Sequence, residues 1–125
     1  MPDRWARPAD IVDEVRLPAG IEATGLIRRV QGEGGFATVL QKGEPDAGTL
    51  LIVMFENGTN SRAYERMPAA DGTRKWACAK VEDPENKGEF SEYINRRRTQ
   101  DRDLWVIELD IADGERFIGL ARPAA

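Results

Sequence analysis

The sequence predicts an α+β domain, an antiparallel-rich sheet of four to six strands with two main helices, in the order helix, strands, helix, strand. Three observations carry this. Apolar residues recur at helical spacing from Ile21 to Gln31, and the period then drops to two across several short runs. Helical spacing returns after Asp83, ahead of one more strong strand at Leu104–Ile111.

Residues 1–20 read as an approach segment, partly loose and punctuated by Pro2, Pro8 and Pro18. Within it Asp10 can cap a short helical turn holding Ile11, Val12 and Val15. Residues 21–120 form the single domain, and 121–125 a tail. Ile21, Leu26, Ile27 and Val30 share one helical face, and Gly32 and Gly34 follow where a terminating glycine sits. Ile21, Ala23, Gly25 and Ile27 also alternate, so a strand is the competing reading of that stretch.

A meander of about four strands is expected next: Phe36–Leu40, Leu50–Phe55, Ser61–Met67 and Arg74–Cys78. Leu50–Phe55 has no polar residue on either face, which places it in the middle of the sheet. Asn57-Gly58 and Asp71-Gly72 mark the turns, and Arg62, Tyr64 and Arg66 alternate with smaller residues on a half-wet face. Asp83 reads as an N-cap with Pro84 at the first helical position. Phe90, Tyr93, Ile94 and Arg97 repeat at helical spacing to about Thr99, with Gly88 costing about 1 kcal/mol relative to alanine. Trp105, Ile107, Leu109 and Ile111 fall on one face of the next strand, and Asp113-Gly114 turns toward a short final strand at Phe117-Ile118.

Composition narrows the functions. With 41% hydrophobic and 32% charged residues the chain is globular, not intrinsically disordered. It has no histidine, which removes Ser-His-Asp and Cys-His pairs and histidine-ligated metal sites. Its lone cysteine, Cys78, cannot form an intramolecular disulfide, and beside Trp76 it reads as a small core residue. The net charge is −4 and no segment is net basic, so nucleic acid is disfavoured as a partner. The amino end lacks an apolar signal region and the longest apolar run is Leu50–Phe55, so a cytoplasmic location is expected, off the membrane.

Leu26-Ile-Arg-Arg-Val30, Gly34-Gly-Phe-Ala-Thr-Val-Leu-Gln-Lys-Gly43, Asp46-Ala-Gly48 and Asp103-Leu-Trp-Val-Ile-Glu108 together resemble the domain of unknown function 1491 family, short proteins of alphaproteobacteria. The resemblance runs from about Ile21 to about Ile118. Glu44 stands where an aspartate is usual, and Arg102 where a proline is usual. The family carries no assigned activity, cofactor or catalytic residue, so the resemblance implies none here.

Candidate sites therefore come from the residues. Arg28 and Arg29 can clamp a phosphate or carboxylate, since arginine's planar fork binds either bidentately; equally, they sit in the last turn of a helix, where cations favour the dipole. Arg96, Arg97 and Arg98 carry the same two readings, with Asp101 and Asp103 able to screen them. The Lys42–Gly48 loop is long for a tight hairpin, and its Lys42 and Asp46 are ligand-binding candidates against an ordinary Pro/Gly turn. Gly32-Glu-Gly-Gly35 is a poor phosphate loop, because it follows a helix and does not precede one. The expected function is a non-enzymatic binding or protein-interaction domain working through a sheet edge or this loop, with a protein partner and no cofactor. Self-association stays open. Two alternatives stand beside it: RNA or nucleotide binding through the arginines, and a metal-dependent hydrolase using Asp46 and Glu56.

Overall fold

The structure is a computed structural model that describes residues 17–121. The approach segment as far as Arg16, where a turn capped by Asp10 is expected, and the tail from 122 lie outside the described residues.

The first helix, α1, spans Ala19–Gly32 and buries Ala19, Ala23, Leu26 and Val30, one stripe at helical spacing. The helical reading of 21–31 is therefore right. Pro18 at its N-cap offers no side-chain acceptor. The first two N–H groups go elsewhere: Ala19 donates to the Asp46 carbonyl at 3.3 Å and Gly20 to that of Pro45 at 2.8 Å. Gly34, at φ +88°, ends the helix, and Gly35 N–H returns to the Val30 carbonyl at 3.0 Å.

Strands β1 (Phe36–Gln41), β2 (Leu50–Glu56), β3 (Thr59–Pro68) and β4 (Arg74–Val81) follow, then helix α2 (Lys87–Gln100) and strand β5 (Trp105–Asp110). The sheet order is β1-β5-β2-β3-β4, with β5 parallel to β2 and every other pairing antiparallel. One expectation changes here. β2, β3 and β4 do form a meander, but β5 separates β1 from β2. The connection after Gln41 must cross two strand spacings, roughly 10 Å, which a tight hairpin cannot do and a loop of this length can.

β2 is the middle strand, as its sequence predicts, and Leu50 to Met54 are at most 3% exposed. Its side chains alternate between two cores. Leu50, Ile52 and Met54 join Trp105, Ile107, Leu109 and Tyr64 beneath α1. Leu51 and Val53 join Leu104, Val106, Phe90 and Ile94 beneath α2. Each such side chain contributes about 1.5–3 kcal/mol by leaving water.

Four local expectations need correction. Helix α2 starts at Lys87 behind Asn86, three residues past Asp83-Pro84. The Asp83 carboxylate instead accepts Glu85 N–H at 2.9 Å, a local turn that competes with capping, and Gly88 then lies in the first helical turn. Phe117-Ile118 belongs to a 3-10 helix, Gly114–Ile118, not a strand. Asp113 takes a left-handed φ of 56°, which turns the chain out of the strand direction. Cys78 is exposed, because it lies on β4, the edge strand, beyond the cover of α1.

The fourth correction is Arg62, which is 4% exposed where a half-wet position was expected. It is buried because the 3-10 helix brings a counter-charge. Arg62 Nε and Nη2 donate to the Glu115 carboxylate at 2.6 and 2.9 Å, and Tyr64 Oη donates to the same carboxylate at 2.6 Å. Arg62 Nη1 donates to the Asn60 carbonyl and stands 3.7 Å from Glu56. Burial by itself raises the Glu115 carboxyl; the Arg62 and Tyr64 hydrogen bonds with the Arg62 charge outweigh it and hold its pKa below the usual value.

Two outcomes follow from this cluster. Arg62→Asp should cost about 3–5 kcal/mol in denaturant melts, since it leaves Glu115 buried against a second carboxylate. A cost below 1 kcal/mol would mean that Arg62 is solvated. Because the Glu115 pKa is lower folded than unfolded, its contribution is complete above the unfolded value, about 4.3, and fades as pH falls through the folded one. Denaturant midpoints should therefore drop from pH 5 downward in the parent, and less steeply in Glu115→Gln.

Candidate functional site

A concavity lies where α2 ends against the start of the β1–β2 loop. A groove of about 470 Å³ is lined there by Gln41, Lys42, Asn95, Arg98, Thr99 and Arg102. Asn95, Arg98 and Thr99 stand at i, i+3 and i+4 on α2, and Arg102 joins them from the extended exit of the helix. A register shift between Val39 and Gln41 re-aims the end of β1 toward that set.

Two clamps fix the geometry. Gln41 Nε2 donates to the carbonyls of Asp101 at 3.0 Å and Leu104 at 2.8 Å. Arg98 Nη2 donates to the Leu40 carbonyl at 3.0 Å, which ties α2 to β1. At the helix end the Arg97 carbonyl accepts Asp101 N–H at 3.1 Å, and the Asp101 carbonyl also accepts Leu104 N–H at 3.3 Å. The Asp101 carboxylate accepts Asp103 N–H at 3.0 Å and is not among the lining groups. Among the described residues the lining holds three cations, three neutral polar side chains and no acid. Arginine has five N–H donors, so Arg98 keeps donors for a ligand after serving Leu40. Chemically the groove suits an anion. Of nucleophilic groups its described lining holds the Lys42 amine and the Thr99 hydroxyl, with no thiol or carboxylate beside them.

The sequence candidates are dispersed. Lys42 lies in this groove. Arg28 is exposed on α1, on the opposite face of the sheet. Arg29, on that same side, donates from Nη2 to the Phe117 carbonyl at 3.1 Å. Asp46 is exposed and works through its backbone, capping α1. The arginine triplet is split three ways: Arg96 is exposed, Arg97 pairs with Glu65, and Arg98 enters the groove. Asp46 and Glu56 flank opposite ends of β2, roughly 20 Å apart along the strand, and do not meet. Among the described residues no group of three or more acidic or thiol side chains converges as metal ligands would.

Sequence reasoning missed Gln41, Asn95, Thr99 and Arg102. The polar i, i+3, i+4 set of Asn95, Arg98 and Thr99 was the available signal on the helix, and Gln41 and Arg102 carried none. The rest of the loop is structural. The Glu44 carboxylate accepts the N–H groups of Asp46 and Ala47, and the Glu44 carbonyl accepts Trp105 Nε1 at 2.9 Å. A Cβ on Gly43 would lie 2.2 Å from the Asp103 carbonyl oxygen, a clash with backbone that cannot yield cheaply. Gly43→Ala should therefore lower stability by about 2 kcal/mol or more in thermal melts, and an unchanged midpoint would show that the loop is not seated against Asp103.

The comparisons with known proteins agree with this architecture. The family described as Protein of unknown function (DUF1491) matches residues 17–119. A crystal structure of a DUF1491 family protein from Caulobacter crescentus CB15 is similar at a TM-score of 0.71 and 30% identity, covering 85% of this chain and 98% of that one. An NMR structure of a DUF1491 family protein from the same organism gives 0.71 and 29%, covering 88% and 99%. The solution structure of protein Atu0922 from A. tumefaciens gives 0.68 and 26%, covering 89% and 100%. No curated protein matches. With a family match across the whole described fold, the chain belongs to the DUF1491 family, the one its Gly34–Gly43 and Asp103–Glu108 strings resemble.

Proposed function

We propose that this protein is a cytoplasmic protein-interaction domain that receives an extended acidic segment of a partner along the edge of β1, with a carboxylate or phosphate of that segment held in the groove. The observation that carries the reading is the lining of the groove, three cations without an acid.

The edge supplies the second half. Among the described residues β1 pairs on one side only, with β5, so its outer backbone groups face outward. Phe36 is 73% and Val39 42% exposed on opposite faces of that strand, so each face offers one apolar contact to an added strand. Gln41, the last residue of β1, lines the groove, so a chain running along β1 arrives beside Lys42, Arg98 and Arg102. Backbone pairing then supplies affinity and the cations supply the choice of an acidic sequence. No helix among the described residues is long and apolar enough to cross a membrane, which is compatible with this setting.

Amide NMR titration with two β-prone peptides, one alternating valine with glutamate and one alternating valine with lysine, tests this. The acidic peptide should shift β1 and groove resonances saturably, and the basic one should not. The double variant Lys42→Glu, Arg102→Glu, which changes two exposed side chains, should weaken the acidic peptide about tenfold or more and leave the melting temperature near the parent's. Equal affinity for the two peptides, or tighter binding of a single-stranded RNA at about 150 mM salt, would overturn the proposal.

A further inference from the structure

On the other side of the sheet a second concavity, of about 220 Å³, opens between α1, the 3-10 helix and strands β3 and β4. It is smaller than the roughly 300–1,000 Å³ of sites for drug-sized ligands, so it suits a single ring or branched aliphatic group. Leu26 and Leu50, both nearly fully buried, and Ile118 supply apolar surface. Trp76 and Phe117 add two aromatic rings.

The two arginines of this cleft are not equivalent. Arg66 lies 4.5 Å over the Trp76 ring, and both its terminal nitrogens donate to the Glu22 carboxylate, so its charge is matched inside the cleft. Arg29 stands 5.9 Å from the centre of the Phe117 ring, and its Nη2 is spent on a backbone carbonyl, a neutral acceptor. With Glu22 and Arg66 cancelling, the cleft keeps, among the described residues, one net positive charge, at Arg29 on the exposed face of α1. An apolar pocket with one uncompensated guanidinium at its mouth is complementary to an apolar group that carries a carboxylate.

From this juxtaposition we infer that the cleft is a second binding site, for a hydrophobic carboxylate: a ring or branched aliphatic group packed between Trp76 and Phe117, with its carboxylate on Arg29. That chemistry occurs in a free small acid and at the C-terminus of a peptide ending in an apolar residue. The site is independent of the acidic-segment groove, which lies on the opposite face and shares no residue with it.

The test uses four probes in amide NMR titrations of the full chain: 3-phenylpropionate, its amide, and the peptide Gly-Gly-Phe with a free or an amidated C-terminus. At least one free carboxylate should saturably shift the Trp76 indole resonance and the amides of Leu26 and Phe117. Its amide should bind at least tenfold more weakly, a comparison that needs no variant. Arg29→Gln should abolish the preference for acid over amide while leaving the spectrum folded. Stronger binding of 3-phenylpropionate assigns a free acid, and stronger binding of the peptide assigns a chain terminus. Equal affinity of acid and amide, shifts confined to the Lys42–Arg102 groove, or no saturable shift with any probe would overturn the inference.

Discussion

Seven consecutive residues, Leu50–Glu56, run through the centre of this protein, and the first five of them must be kept from water on both faces of the sheet. A strand of that composition cannot lie at an edge or under a single layer without exposing half of its apolar side chains. Helix α1 covers one face and α2 the other, and each brings its own buried stripe. Beside β2 the ladder is completed by β5, whose residues Trp105, Val106, Ile107 and Leu109 are as buried as their neighbours. Inserting β5 between β1 and β2 lengthens the connection after Gln41, and that connection is where much of the fold is tied together. It caps α1 through the carbonyls of Pro45 and Asp46, and it seats the Trp105 indole on Glu44.

Both concavities are by-products of the same two-faced cover. A helix of 14 residues, about 21 Å long, cannot shield every strand, so each helix leaves a concavity at its margin. Next to α2 the margin is polar and cationic, because Arg98, one turn beyond Ile94, ends the buried Phe90–Ile94 row in a charged group, with Asn95, Thr99 and Arg102 beside it. Next to α1 it is apolar and aromatic, bounded by Phe117 of the 3-10 helix. The 3-10 helix is held by the Arg62–Glu115–Tyr64 cluster. A buried ion pair contributes little net stability against a well-packed apolar equivalent, yet losing one partner is costly. The cluster thus specifies where the C-terminal segment packs more than it stabilises the fold.

Much of this was legible along the chain because it is local. The double-faced apolarity of Leu50–Phe55, the helical stripe of α1 and the alternation of Trp105, Ile107, Leu109 and Ile111 are properties of neighbouring residues. What was not legible depends on distant partners. Arg62 looks solvated beside Tyr64 and Arg66, and only Glu115, 53 residues away, makes it a buried ion. Cys78 beside Trp76 looks like core, and only the strand order reveals an edge. Asp83-Pro84 has the composition of a helix start, but the Asp83 side chain is spent on Glu85 N–H. The candidate site divides the same way: Lys42 stood out by its loop, whereas Arg98 and Arg102 gain meaning only when Gln41 is brought beside them.

If the doubly covered β2–β5 pair is what the remaining elements rest on, its backbone must be the last to open. Native-state amide hydrogen exchange measures this residue by residue. The amides of Leu51–Met54 and Val106–Leu109 that bond across the β2–β5 ladder should exchange only through global unfolding, with those of β1 and β4 opening at lower free energy. Slower exchange in the β3–β4 hairpin than in β2 and β5 would contradict it.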